Sequence, residues 1–559
     1  MREEKRLHER VHYESFRHMV EDIGERYRGK GAYAFRLNPR DKTIVKKKYE
    51  ELRDDIRALS TAFHSAGLAG KHIVLIGKYS YNWVLTYYAS MCTGSVIVPL
   101  DRDWSAEDLI ATVERADGEI LICDKDILAK GKQIAEALSI PLYATEDDVD
   151  RMVSEGAERF LVEPSLYYDA PIDIEKMSLL VFTSGTTGKG KGVMLSQKAI
   201  MWDLEDVVGF IDFGERTVGV LPPHHTYCSS VSIYGHNTIG VEIYISSGIR
   251  YILNELKEQK PEHIVLVPLY VETFYRRIQG TLKDKGKLGL VNFLIKVSNA
   301  LRKIGIDLRK KFFGEIVSAF GGELHTLISG GAAINQDIIN FFDGIGITVL
   351  NGYGITECAP LISVNHNGRV VKGSVGFPID GDTVRIDDPN EDGEGEICVK
   401  GPNVMLGYFK DPEATAEAMT DDGFFRTGDY GKITKEGAIA ITGRKKNLII
   451  LSNGKNVYPE EIESEFVALA GVIDIIVYEG KSKRGDMYNA IVAEIFPDYD
   501  LLAKNGVTDP ESYFKQFVNE YNKTAVPYKK IAIVKLRTEE FPKNTLRKIM
   551  RFKLDMTID

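Results

Sequence analysis

Short apolar runs rich in β-branched residues recur along the first four-fifths of the chain. They are "KHIVLIGKY" (71–79), "GEILICDKD" (118–126), "SLLVFTS" (178–184), "HIVLVP" (263–268) and "HTLISGG" (325–331). Each is bounded by glycine, proline or polar residues, and long amphipathic segments lie between several of them. That alternation predicts an α/β fold of layers with mostly parallel strands. From about residue 373 the texture changes to short strands and tight turns, "GSVGFPIDGDTVRIDDPNEDGEGEICVKGPNVMLGY", which suits a β-rich subdomain. After "GRKKN" (443–447) comes a last α+β unit, with strand runs at 472–478, 488–496 and 531–537 and helical patterns near 459–469 and 510–523. The boundary falls between residues 1–445 and 446–559.

Length and charge narrow the class. At 559 residues the chain exceeds one compact core, so a large domain with a smaller companion is expected. A net charge of −10 argues against a nucleic-acid partner. No apolar run approaches the roughly 18 residues that span a bilayer. The charged start, "MREEKRLHERVHYESF", lacks the apolar centre of a signal peptide. Five cysteines without a C-x-x-C pair suggest reduced thiols and no zinc site. A cytoplasmic protein is expected, with peripheral membrane contact left open.

The stretch "VFTSGTTGKGKGVML" (181–195) brings in chemistry. From Gly185 it satisfies G-x-x-x-x-G-K, but Gly192 stands where a P-loop needs Ser or Thr for magnesium. A strand-like V-M-L step follows, and the helix cap comes later, at Ser196. The loop therefore joins two strands, and a P-loop phosphotransferase is disfavoured. Glycines 185, 188, 190 and 192 allow close backbone approach to phosphate, hydroxyls at 183, 184, 186 and 187 donate, and Lys191 supplies charge. Read alone, the stretch serves equally as a flexible surface turn.

Its neighbours name a family. "TSGTTGKGKGV" resembles the phosphate loop of the adenylate-forming (AMP-binding) superfamily, and four further blocks follow in that family's order. They are "LPPHHTY" (221–227), "SGGAAI" (329–334) with "NGYGITE" (351–357), "RTGDYG" (426–431) with "GRKKNLIILSNGKNVYPEEIE" (443–463), and "FPKNTLRKIMR" (541–551). The resemblance implies an AMP-binding, acyl-binding large domain and a small mobile C-terminal domain.

It also implies roles for residues. Tyr353 stacks on adenine, within a base pocket formed by Ser329, Gly330, Gly331 and Ala332 and by Asn351, Gly352 and Gly354. Asp429 accepts from the ribose hydroxyls, and Arg444 reaches the same sugar. Thr183, Ser184, Gly185, Thr186, Thr187 and Gly188 cradle phosphate. Glu357 and Thr183 position Mg2+, and Thr356 touches the α-phosphate. Taken singly, Tyr353 reads as a core aromatic, Asp429 as a turn residue and Glu357 as a solvated acid.

The implied reaction has two halves. A carboxylate attacks the α-phosphorus of ATP, giving acyl-adenylate and pyrophosphate; the thiol of coenzyme A then displaces AMP. Both reactants in the first half are anions, so catalysis rests on positioning and on placed cations. Lys191 serves the leaving pyrophosphate and Lys548 the carboxylate. His225 resembles the histidine near the acyl carbonyl, with His224 beside it where an aromatic is common. For the second half the small domain pivots about Lys446, and Gly454 leaves room for the pantetheine arm. Three positions depart from the pattern: Gly190 stands for proline, Gln197 for histidine and Arg547 for glycine. None removes a charge the mechanism needs.

Residues 276–311 contain eleven Lys/Arg against two Asp, a net +9 inside an acidic chain. Leu290, Phe293, Leu294, Val297, Leu301 and Ile304 recur there at helical spacing. Three readings stand: a helix leaning on anionic lipid, a positive approach for carboxylates, and a helix packed on the large domain with a solvated face. The segment resembles the insert of bacterial long-chain fatty acyl-CoA synthetases, which implies a medium- or long-chain fatty acid. The alternatives are a fatty acyl-AMP ligase, an acyl-carrier-protein synthetase, another acid–CoA ligase, or a non-catalytic nucleotide- or acyl-binding protein. No carrier domain with a phosphopantetheine serine is expected.

Overall fold

The computed structural model describes residues 6–183, 190–205, 207–451, 456–467, 469–480, 490–543 and 549–558. Two large sheets build the body. In the nine-stranded sheet, Thr348–Gly354, Thr326–Ser329, His263–Leu266, Arg216–Gly219, Glu242–Ile245 and Gly31–Phe35 run parallel in that spatial order. Antiparallel edges are added by Leu361–Val364 and Phe377–Pro378 on one side and by Val45–Lys48 on the other. In the seven-stranded sheet, Met177–Phe182, Val96–Leu100, His72–Ile76, Ile120–Cys123 and Leu142–Ala144 run parallel. Gly192–Ser196 and Gly407–Tyr408 close its other edge antiparallel. The predicted α/β layers are thus present, with antiparallel edges that periodicity does not distinguish.

One helix explains how the sheets meet. In Tyr81–Cys92, capped by Ser80 through the Trp83 amide, every residue except Asn82 is buried. A helix apolar around its whole circumference belongs inside. It shares one core with strand residues of both sheets, including Leu75, Ile97, Leu179, Val265 and Leu350. Further helices cover the outer faces and form two separate cores. All five cysteines are free and buried, and burial pushes the Cys92 thiol up to about 12, so they act as small core residues.

The β-rich stretch is less self-contained than its texture suggests. Thr383–Asp387, Gly395–Lys400, Phe425–Ile433 and Ile439–Arg444 form an antiparallel sheet, but Phe377–Pro378 and Gly407–Tyr408 belong to the two large sheets. The last unit has its own core and a sheet of Val472–Gly480, Ala490–Pro497 and Ile533–Leu536. It meets the large domain along the helix Pro268–Asp284. There Lys283 Nζ donates to Asn505 Oδ1 at 3.0 Å, and Lys504 lies 3.7 Å from Asp284.

The basic segment is three helices: the end of Pro268–Asp284, then Leu288–Arg302 and Arg309–Val317. Leu288–Arg302 packs through Val291 and Ser298, while Leu290 and Phe293 are exposed. Of the apolar stripe seen in the sequence, Leu294 packs on the core, while Leu290, Phe293 and Ile304 stay exposed. The inner face sits over the helix Gln336–Ile345, where Ile295 meets Gly344 and Arg302 pairs with Asp343 at 2.7 Å.

Glu272 couples this junction to pH. Burial raises its carboxyl to about 7, against the nearby charges of Arg276 and Lys543 and with that of Asp474. Lys543 itself pairs with Asp474 at 2.6 Å within the small unit. A carboxyl raised by folding binds its proton before the unfolded or undocked chain does on acidification. The docked arrangement should therefore strengthen as pH falls from about 8 to about 5. Inter-unit fluorescence transfer should report this, and Glu272→Gln should flatten the dependence.

Candidate active site

The phosphate-loop stretch does join two strands. Met177–Phe182 pairs antiparallel with Gly192–Ser196, with Phe182 opposite Gly192, and the Thr183 amide donates to the Lys191 carbonyl at 3.0 Å to close the neck. Arg115 donates to the Gly190 carbonyl at 2.6 Å while its guanidinium lies 4.8 Å from the Phe182 ring. That clamp holds the loop base where proline is the family's usual residue. Gly192 also has a local reason: a Cβ there would meet Leu180 Cδ1 at 3.1 Å and the Phe182 ring at 3.2 Å. A Ser or Thr at this position would press into the core instead of reaching a metal. Ser184, Gly185, Thr186, Thr187 and Gly188 lie outside the described residues.

Two glycine-rich strand ends face one cavity. Ser329, Gly330 and Gly331 follow one strand, and Gly352, Tyr353 and Gly354 end its parallel neighbour, in the register Ser329 to Asn351. Gly330 has no room for a Cβ, which would sit 3.0 Å from the Tyr227 ring, and Gly331 turns at φ +87°. Among the described residues the buried Ser329 Oγ and Asn351 Oδ1 have no hydrogen-bond partner. Buried polar atoms rarely stay unpaired. These two suit a planar base carrying an amino group. Ala332 sits exposed beyond them. Deeper in, the cavity is lined by Leu204, Val208, Phe213, Val231 and Val364. Its volume is about 60 Å³.

Asp429 is the electrostatic centre. It lies in Phe425–Ile433 opposite Arg444 of Ile439–Arg444, and it is almost fully buried. Arg444 Nε reaches Asp429 Oδ1 at 2.8 Å, and the Tyr353 hydroxyl donates to Oδ2 at 2.7 Å. Burial and that carboxylate hold the Tyr353 phenol far above its ordinary value. Each carboxylate oxygen can accept more than one hydrogen bond, so sugar hydroxyls can join these donors. Just beyond, Lys445 pairs with Glu396 at 2.7 Å on the large-domain side, and Asn447 donates to Glu460 of the small unit. Lys446 stands exposed between these two anchors.

The remaining charges converge through a tyrosine. Tyr408 donates to Glu357 Oε1 at 2.9 Å, and Lys191 Nζ lies 4.5 Å from the centre of its ring. Glu357 and Thr356 share a single 3₁₀ turn after Thr348–Gly354, and the Met405 amide secures the Glu357 carbonyl at 2.8 Å. The histidines divide. His224 is buried with Nε2 3.9 Å from Asp101, and burial lowers its pKa; His225 is partly exposed, its ring 4.2 Å from that of His224. Among the described residues no three His, Cys, Asp or Glu side chains group as a metal site. Lys548, Arg547 and Gly454 lie outside the described residues.

The AMP-binding enzyme family matches residues 21–409. The chain belongs to that family. With membership comes the coarse activity, that of an AMP-forming acid–thiol ligase. Long-chain-fatty-acid–CoA ligase 5 of Rattus norvegicus is 28% identical over 498 residues, covering 82% of this chain and 72% of the relative. A chloroplastic long-chain-fatty-acid–[acyl-carrier-protein] ligase of Arabidopsis thaliana is also 28% identical, covering 80% and 72%. The crystal structure of ATP-bound MatB from Rhodopseudomonas palustris superposes with a TM-score of 0.75, covering 96% of this chain and 97% of that one, at 24% identity. That last likeness concerns the fold.

In this AMP-binding enzyme the structure gathers Lys191 and Glu357 about Tyr408, and Tyr353 and Arg444 about Asp429. Sequence reasoning passed over Tyr408 and Arg115. Tyr408 sits on a two-residue strand with no periodicity to read, and Arg115 acts through a backbone carbonyl. Asp429→Ala should weaken AMP binding about a hundredfold, from two charge-assisted bonds. Tyr408→Phe keeps the ring beneath Lys191 and should change AMP affinity by less than about threefold. Isothermal titration of both variants checks this pair.

Proposed function

We propose that this enzyme activates a medium- or long-chain fatty acid with ATP and transfers the acyl group to coenzyme A. The observation carrying this reading is the make-up of one cavity: the glycine-rich strand ends, with the unpaired Ser329 Oγ, line the same space as apolar side chains such as Leu204, Phe213 and Val231. A nucleotide on the rim and an apolar acid in the slot would meet where the phosphates lie. The relatives named as long-chain fatty acid ligases support the acid class.

The residues divide the work by charge. Asp429, with Tyr353 and Arg444, would hold the ribose, and Ser329 and Asn351 would accept from the base. Lys191 lies close enough to Tyr408 and Glu357 to balance a triphosphate placed against the loop, where two anions must approach. Glu357 and Thr183 would offer oxygen donors for Mg2+, which would supply charge neutralisation there when bound. Lys548 from the small unit would add charge at the carboxylate and α-phosphate. A rotation about Lys446, between its two anchors, would withdraw Lys548 and bring the loop with Gly454 to the thiol.

The slot is small, about 60 Å³. It is bordered by the π-helical turn Tyr227–Gly235, a kind of local irregularity that recurs at functional sites. A second reading, transfer to an acyl-carrier protein, is favoured by the Arabidopsis relative and differs only in the acceptor.

A panel of short, medium, long and aromatic acids with ATP and magnesium should release pyrophosphate most efficiently with medium or long chains; release confined to aromatic acids overturns the acid class. Thioester yield with coenzyme A against carrier protein separates the acceptors. Lys548→Ala should slow adenylate formation about 10²–10³-fold, as for loss of one transition-state donor, yet spare thioester formation from supplied acyl-adenylate. Equal loss in both half-reactions would contradict the pivot.

A further inference from the structure

The slot contains a glycine that neither its backbone nor its packing requires. Gly330, Gly331 and Gly354 each have a local reason: the Tyr227 ring beside the first, a φ of +87° at the second and the Pro360 carbonyl against the third. Gly235 has none of these. It ends the π-helical turn Tyr227–Gly235 at φ −57° and ψ −43°, and helix continues through His236–Thr238. Glycine inside a helix is less stable than alanine there. A Cβ at 235 would meet Leu204 Cδ1 at 3.4 Å, the Ser230 carbonyl at 3.5 Å and Val208 Cγ1 at 3.8 Å, all ordinary contacts.

What the missing side chain supplies is space. Leu204, Val208 and Gly235 all line the slot, so a larger residue at 235 would project between two of its walls. The position lies away from the glycine-rich strand ends. Tyr227, at the start of the nine-residue π-helical turn, has its ring against Gly330, and the turn then carries the chain at most about 12 Å to Gly235. Beyond Val208 a crevice of about 10 Å³ begins, bounded by Glu9, Val11, Tyr13 and Tyr234.

The wall between slot and crevice is backed from outside by the first described residues. The Leu7 amide donates to the Gly209 carbonyl at 2.7 Å, and the Arg6 guanidinium lies 4.9 Å from the Phe210 ring. His12 Nδ1 lies 2.9 Å from the carboxylate of the buried Glu205. The short turn Val207–Phe210 is thus held on both sides.

We infer that Gly235 and Val208 set the length of acid the enzyme accepts: the notch at Gly235 takes the end of the tail, and Val208 stops it short of the crevice. This rests on the reading that the slot takes an acyl chain.

Pyrophosphate release by the full chain with hexanoate, decanoate and palmitate, in the presence of ATP and magnesium, tests it. Gly235→Leu fills the notch and should lower kcat/KM for palmitate relative to hexanoate by about tenfold or more. Val208→Ala opens the slot toward the crevice and should raise the same ratio by about tenfold. Gly235→Ala should lower the ratio by a smaller factor while its thermal unfolding stays at or above that of wild type, which separates the effect from misfolding. Fatty acid turnover with a ratio that no variant moves, or that Gly235→Leu and Val208→Ala move in the same direction, overturns this inference alone. A wild type that turns over no fatty acid defeats the underlying reading, and the inference with it.

Discussion

A buried carboxylate shared between two sheets holds this architecture together at its most sensitive point. Asp429 belongs to the four-stranded sheet, yet one of its partners, Tyr353, belongs to the nine-stranded one, and the other, Arg444, leads out toward the small unit. An ionised group taken out of water must find partners or lose its charge. Here the partners come from elements distant in sequence, so satisfying one carboxylate fixes how those elements meet. The same contact sets the rim of the cavity and the start of the inter-unit link.

Phosphate handling follows from a second constraint, the neck between Met177–Phe182 and Gly192–Ser196. A P-loop ends on a helix and uses its free amides. This loop ends on a strand whose backbone is committed to pairing on both sides, with the Gly192 carbonyl accepting from the Phe409 amide at 2.7 Å. In the proposed reading, positive charge would then come from side chains such as Lys191, whose ammonium lies 4.5 Å from the centre of the Tyr408 ring. The short strand Gly407–Tyr408 extends the sheet by only two residues. Its register nevertheless brings one aromatic ring between a cation and an acid.

Charge and apolarity are distributed unevenly at larger scale. The cavity joins the glycine-rich strand ends to apolar side chains such as Leu204, Val208 and Phe213. Away from it, Leu288–Arg302 packs through Val291 and Ser298, with Ile295 against Gly344, and leaves Leu290 and Phe293 exposed.

Much of this was legible in the sequence. The alternation of strands and helices, the strand-to-strand character of the phosphate loop and the Ser196 cap at the next helix all rest on local rules, because the deciding groups lie within a few residues of each other. The ordered motifs likewise marked Tyr353, Glu357, Asp429 and Arg444. What the tertiary structure decided is how those groups pair. Periodicity in 276–311 indicates an amphipathic helix but not which apolar line finds a partner, since that depends on Gly344 and Asp343 of another helix. Tyr408, Arg115 and the division of labour between His224 and His225 depend on contacts spanning tens to hundreds of residues. Local propensity carries no trace of such contacts, because their energies exist only once the sheets have assembled.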